Sequence, residues 1–160
     1  MSLEELKSIL IEKNKTISVA ESLTGGNLQS IFSSIDGSSK FFMGGVTAYN
    51  IFQKVNLLKI DQENAILCNC VSAQTVTEMA IGVSELMGSD YSIATTGYVV
   101  PNDDFKTPFA YISIYDKNLN NFIVEKIVNF KFINRERSQK FFSEHAFNMF
   151  CNYLIRQGGI

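Results

Sequence analysis

The chain is poor in the residues that build metal sites and disulfide frameworks. It has one histidine, His145, and three cysteines, Cys68, Cys70 and Cys151, in 160 residues. An odd count containing a Cys-x-Cys pair gives neither a disulfide framework nor a zinc knuckle, so the thiols read as reduced, in a cytoplasmic protein. Three thiols and one imidazole also argue against a protein-borne transition-metal site. No metal and no organic cofactor is expected. The two prolines, Pro101 and Pro108, both fall within residues 97–108 and mark that stretch as a loop. Basic residues number 14 against 16 acidic, a net charge of −2, with no basic run or stripe. That lacks the electrostatic footprint of a nucleic-acid binder. No apolar run approaches the roughly 20 residues of a membrane helix. The opening Met-Ser-Leu-Glu-Glu is acidic and has no apolar signal core. Neither a membrane partner nor export is therefore expected.

What is present suits one folded unit. A chain of this length fits a single domain, residues 1–160, and buries roughly 70% of its extended surface. With 46% hydrophobic residues it can fill a core without cross-links. Ser2 and Glu5 have capping-box spacing, and Leu3, Leu6, Ile9 and Leu10 form an apolar stripe on a first helix ending near Asn14. Thr16 to Ala20 is a buried strand, and Asn27 to Ile35 has helical spacing. Lys40 to Met43 reads as a short helical piece, and Gly45 to Tyr49 as a second strand. Asn50 caps a helix carrying Val55, Leu57 and Leu58, one helical turn is expected near Asp61, and Ser72 caps a helix that Gly88 stops. Tyr91 to Thr96 and Phe109 to Tyr115 read as strands, Asn121 to Phe132 as the hairpin partner of the latter, and Asn134 to Arg156 as a final helix. Strands alternating with helices, then a hairpin, predict a three-layer α/β/α fold with a mixed, mostly parallel sheet of about five strands.

The chain is organised around Ala20-Glu21-Ser22-Leu23-Thr24-Gly25-Gly26. Ser22 sits where a strand ends and a helix is about to begin. Thr24 is an N-cap candidate, and Gly25 and Gly26 let the backbone turn sharply or approach a ligand. The first amides of a helix lack internal partners and favour anions. A hydroxyl beside such donors suits holding a phosphate or attacking a carbonyl whose oxygen becomes negative. The plainer reading is a helix cap.

A nucleophilic serine needs a base. His145 lies on the last helix at the border of its apolar stripe and reads as a flank residue. Lysine is the other base able to serve a serine, once burial or a neighbouring positive charge lowers its pKa. Lys54, among Phe52, Val55, Leu57 and Leu58, is the candidate, and the phenol of Tyr49 could bond it or relay its proton. The plainer readings are a solvated lysine and a strand-end aromatic. Gly37-Ser38-Ser39 offers donors to a phosphate, or is an ordinary turn. Glu21 is either structural or an orienter of Lys54. Thr95 and Thr96 end a strand before Gly97, where sheet enzymes present side chains to a ligand.

These stretches together resemble a known family. Ala-Glu-Ser-x-Thr-Gly-Gly, Gly37-Ser38-Ser39, Thr47-Ala48-Tyr49-Asn50 with Lys54, Val71-Ser72, Glu78-Met79-Ala80, Gly82 and Thr96-Gly97 are similar to the C-terminal domain of CinA, the competence/damage-inducible protein. That domain also occurs alone as nicotinamide-nucleotide amidase. The resemblance implies a small nucleotide substrate, hydrolysis of the carboxamide of nicotinamide mononucleotide, and a homodimer. It also implies a catalytic group of Ser22, Tyr49 and Lys54, with substrate held around Thr24, Gly25, Gly26, Ser38, Ser39, Thr96, Gly97 and Arg135. A non-catalytic member that binds a nucleotide or serves as an interaction domain is the alternative. Two stretches depart from the family pattern. The loop after Gly97 carries Asp103 and Asp104 in place of glycines, keeping Lys106 and Pro108, and Gln139 stands where the family often has a second arginine. A weak amidase is the expectation.

Overall fold

The structure is a computed structural model and describes residues 1–158. Ser2 and Glu5 cap the first helix, α1 (Leu3–Glu12), reciprocally, each side chain accepting the other's amide. Then follow β1 (Ile17–Glu21), α2 (Asn27–Ser33), a 3-10 turn (Ser38–Lys40) and β2 (Phe42–Thr47). Asn50 caps α3 (Ile51–Leu58) and Asp61 caps α4 (Gln62–Leu67). Ser72 caps α5 (Ala73–Met87), which ends at Gly88 in the left-handed conformation. The chain continues through β3 (Tyr91–Tyr98), β4 (Phe109–Asp116), β5 (Asn121–Val128) and α6 (Arg135–Arg156).

The strands form one sheet in the order β2-β1-β3-β4-β5. Side chains alternate between its faces, as the period-two pleat requires. Ile17, Val19, Ile93, Ile112 and Ile114 join Leu6, Phe32, Phe142 and Phe150 of α1, α2 and α6 on one side. Ala20, Ala94 and Tyr115 join Leu58, Val76, Met79 and Val83 of α3 and α5 on the other. This is the expected three-layer arrangement.

Several details differ from the sequence expectation, among them that β2 ends at Thr47 and not at Tyr49. The sheet is not mostly parallel: β1 pairs parallel with β2 and β3, while β3–β4 and β4–β5 are antiparallel. Phe42 and Met43 belong to a strand and not to a helical piece. The Ile17 amide donates to the Phe41 carbonyl at 2.8 Å, which draws the following residues into the ladder beside β1. The hairpin partner stops at Val128, because the Asn129 amide turns back to the Pro108 carbonyl and its side chain bonds Ser138 Oγ.

From β1 the chain crosses to β2 on one side, while β3 lies on the other. The crevice beyond the carboxyl ends of β1 and β3 is thus a topological switch point, where open α/β sheets take ligands. Ser22 directly follows β1, and Thr96-Gly97 lie near the carboxyl end of β3.

Candidate active site

The turn that carries Ser22 is set by Glu21. This side chain is fully buried. Its carboxylate oxygens accept the amides of Gly26 and Leu28, both at 3.0 Å, and of Gln29 at 2.8 Å. The orphan donors of α2 are satisfied from the preceding strand. Glu21 is therefore structural and does not orient Lys54. Thr24 is not the N-cap, a position held by Gly26 at φ 96°. The Thr24 hydroxyl is buried against Thr95 Oγ1, 2.8 Å away. The Gly25 amide closes the turn onto the Ser22 carbonyl at 3.2 Å. Gly25 itself is left-handed, φ 62°, and a Cβ there would come within 2.9 Å of Gln139 Nε2. That nitrogen donates to the Leu23 carbonyl at 3.1 Å, tying the turn to α6.

This arrangement alters the expected oxyanion donors. The amides at the start of α2 are occupied by Glu21. Those left without a hydrogen bond among the described residues are the amides of Ser22, Leu23 and Thr24. Leu23 lines the adjacent cavity.

Lys54 comes from the other side. Asn50 starts α3 by accepting the Gln53 amide at 2.9 Å, and Lys54 follows one turn in. Its Nζ lies 3.0 Å from Ser22 Oγ and donates to the Tyr49 carbonyl at 3.3 Å. The residue is 2% exposed, and no carboxylate pairs with it among the described residues. Burial pushes its pKa below the ordinary lysine value, opposed in part by the charge of Cys70. Tyr49 thus meets Lys54 through its carbonyl and not its phenol. The half-exposed phenol instead accepts from the Arg135 guanidinium at the start of α6.

Ser22, Tyr49, Lys54, Thr96, Gly97 and Arg135 line one cavity of about 530 Å³, within the usual range for small-molecule sites. Thr96 is buried and donates to the Cys70 carbonyl at 2.7 Å, so it braces the wall. Gly97 is required by crowding, since a Cβ would sit 2.2 Å from the Phe109 carbonyl oxygen. Thr24, Gly25 and Gly26 shape the turn behind the cavity without lining it. Ser38 and Ser39 are elsewhere. They precede β2, beside the amino end of β1, a full strand length from Ser22, and five residues of strand span about 17 Å.

Sequence reasoning missed Asn69 and Cys70, which line the same cavity. Asparagine favours left-handed turns, a weak signal for Asn69. Nothing local marks Cys70, whose place is set by Thr96, 26 residues on. The departing loop contributes Asn102 to the cavity, whose Oδ1 accepts the Asp104 and Phe105 amides. Phe105 stacks on Tyr98, folding the loop back, while Asp103 and Asp104 are exposed. His145 is exposed on α6, its ring against the Phe141 carbonyl, outside this cavity. No helix among the described residues is long and apolar enough to cross a membrane.

Comparison with known proteins adds an independent line. The profile of the CinA C-terminal domain matches residues 2–154. A CinA-like protein of Prochlorococcus marinus is 33% identical over 152 residues, 93% of this chain and 36% of that protein. One from Synechocystis sp. is 44% identical over 94 residues, 59% of this chain and 23% of that protein. The chain thus spans about a quarter to a third of these relatives' length. The crystal structure of competence damage-inducible protein A from Klebsiella pneumoniae superposes with a TM-score of 0.86 at 23% identity, covering 96% of this chain and 94% of that one. A CinA superfamily structure from Escherichia coli gives 0.82 at 25% identity, covering 95% and 88%.

Proposed function

The chain belongs to the CinA C-terminal domain family, and from that premise we propose that it is an amidohydrolase with Ser22 as nucleophile and Lys54 as base. The observation that carries this reading is the 3.0 Å approach of Lys54 Nζ to Ser22 Oγ, with the amine buried and its pKa lowered. A module that only binds a nucleotide has no need of that pairing.

The chemistry follows from the donors and acceptors. With Nζ neutral, the Ser22 hydroxyl donates to its lone pair, and the Tyr49 carbonyl accepts one N–H and fixes the direction of that lone pair. Ser22 Oγ attacks the amide carbon as its proton passes to Lys54. The oxygen that turns negative is held by the free amide of Leu23 at the cavity wall, an interaction worth about 3–4 kcal/mol per donor in comparable sites. Lys54 then delivers its proton to the departing ammonia, and in the second half it draws a proton from the water that hydrolyses the acyl-enzyme.

The substrate we propose is nicotinamide mononucleotide, giving nicotinic acid mononucleotide and ammonia. Arg135 lies at the cavity, and its observed partner is the phenol of Tyr49 and not a carboxylate, which leaves its charge available to a phosphate. Family resemblance further suggests a homodimer, which sedimentation would test.

The decisive experiment is ammonia release from nicotinamide mononucleotide by the pure protein, alongside Ser22→Ala. The variant is expected to lose at least about 10³-fold in rate with its circular dichroism unchanged. Full activity in a folded Ser22→Ala protein would refute the assignment.

A further inference from the structure

The wall of the cavity contains an unusual turn. α4 ends at Leu67, with Cys68 as its C-cap. The next two residues are both left-handed, Asn69 at φ 50° and Cys70 at φ 60°. The Val71 amide donates to the Cys68 carbonyl at 2.9 Å. Residues 68–71 thus form a tight turn with both central residues at positive φ, the type I′ pattern. Contacts from outside hold it. The Cys70 amide donates to the Ala65 carbonyl at 2.8 Å, Thr96 Oγ1 donates to the Cys70 carbonyl at 2.7 Å, and Asn69 Nδ2 donates to the Tyr98 hydroxyl at 3.2 Å.

A chain folded this sharply brings residues i and i+2 within the Cα separation of about 4.4–6.8 Å that a disulfide spans. The two thiols are also unlike one another. Cys68 is half-buried, and its Sγ lies 3.5 Å from Thr75 Oγ1. Burial raises its pKa, but hydrogen bonds from Thr75, Ser72 and the Val71 and Cys70 amides outweigh it, and the net shift is downward. Cys70 is buried in the cavity wall. Burial raises its pKa, the Lys54 charge only partly opposes this, and the net shift is upward. An accessible thiol that ionises readily beside a protonated neighbour is the pairing of a peroxide-sensing cysteine with a resolving one.

We propose that Cys68 and Cys70 are an oxidative modification site that closes the Ser22–Lys54 cavity reversibly. The Cys68 thiolate attacks one oxygen of a hydroperoxide such as hydrogen peroxide. The O–O bond breaks, the departing hydroxide takes a proton to become water, and Cys68 becomes a sulfenic acid. The Cys70 sulfur then attacks Cys68 sulfur, forming S–S as S–O breaks, and the Cys70 proton leaves with the hydroxyl as a second water. Two thiols are oxidised by two electrons in total, and the peroxide is reduced. Drawing Cys70 toward Cys68 removes it from the wall that Thr96 braces next to Lys54.

The effect on catalysis rests on the amidase reading, whereas the bond itself can be measured without it. The protein is treated with hydrogen peroxide, its free thiols are titrated after denaturation, and its peptides are weighed. Free thiols are expected to fall from three to one, with loss of two hydrogens from the peptide holding residues 68–70 and full reversal by dithiothreitol. Cys68→Ser should retain basal amidase activity and resist peroxide. Cys151→Ser should remain sensitive, because Cys151 is buried and its pKa is pushed up to about 11. Wild-type activity should fall by most of its value and return on reduction. Three thiols persisting after peroxide, or hydrogen loss from another peptide, would overturn the proposal. So would a Cys68→Ser protein inactivated at the wild-type rate. A protein without amidase activity that still forms the bond would refute the catalytic reading and leave the modification site standing.

Discussion

Lys54 shows what a single residue costs when its chemistry requires it to be dry. Unfolded, its ammonium is hydrated. Folded, it is 2% exposed with no carboxylate partner among the described residues, and its pKa lies below the ordinary value. The neutral form's stabilising contribution is thus present above the unfolded lysine pKa and is lost as pH falls through the folded one. At pH 7 the penalty is in force. Lys54→Met, similar in length and apolar, should therefore raise the melting temperature while abolishing ammonia release. A gain of about 1–2 kcal/mol, roughly 2–8 °C for a chain of this size, is expected by calorimetry. Wild-type activity should rise with pH along an ionisation centred below the usual lysine value. An active Lys54→Met protein with an unchanged pH profile would remove lysine from the mechanism. Glu21 is the contrary case, a buried polar side chain kept for stability. Glu21→Gln keeps one accepting oxygen for three amides. Urea unfolding should show a loss of about 1–3 kcal/mol, and kcat should fall as the Ser22 turn loosens.

Among the elements, α3 and α5 touch more closely than side chains allow. A Cβ on Gly82 would sit 2.1 Å from the Leu58 carbonyl oxygen, so Gly82→Ala must push α3 off α5. Lys54 lies one turn before Leu58 on that helix, and a displacement of about 1 Å between base and nucleophile can cost 10²-fold. The variant is therefore expected to lose kcat with KM nearly unchanged, and to unfold more readily by about 1–3 kcal/mol. Equal kcat in variant and parent would show that α3 is not held to its catalytic position by this contact. The helices themselves were legible: α5 and α6 announce their ends through Ser72, Gly88 and Asn134, and their buried faces follow the 3.6-residue period. The start of β2 is not legible in sequence because Phe42 and Met43 continue an apolar run from Phe41 and the strand holds two glycines, so nothing in Phe42–Thr47 outweighs its neighbours. Pairing with β1 decides it.

Across the whole molecule, the serine and lysine were legible because each sits at a boundary between elements, where local sequence speaks clearly. The remainder of the site was not, because it depends on distant partners. Glu21 caps a helix five residues on in place of the nearer Thr24, Tyr49 is turned toward Arg135, 86 residues away, and Cys70 is placed by Thr96. Gly37-Ser38-Ser39 offers phosphate donors by its local sequence, yet the topology puts Ser38 and Ser39 at the other end of the sheet from Ser22. That same division of the sheet has a consequence in time. β4 and β5 are joined through only four residues and β3 pairs with its successor β4, so this half closes through short loops. Hairpins of that kind form in about 1–10 μs. The β1–β3 pairing joins Ile17 to Tyr91, a long loop closure that must precede any reward from contact. A refolding chain should therefore own its antiparallel ribbon before it owns a nucleophile beside a base. In stopped-flow refolding, the far-ultraviolet signal should recover ahead of amidase activity, with β4 and β5 amides protected from exchange before those of β1 and β2.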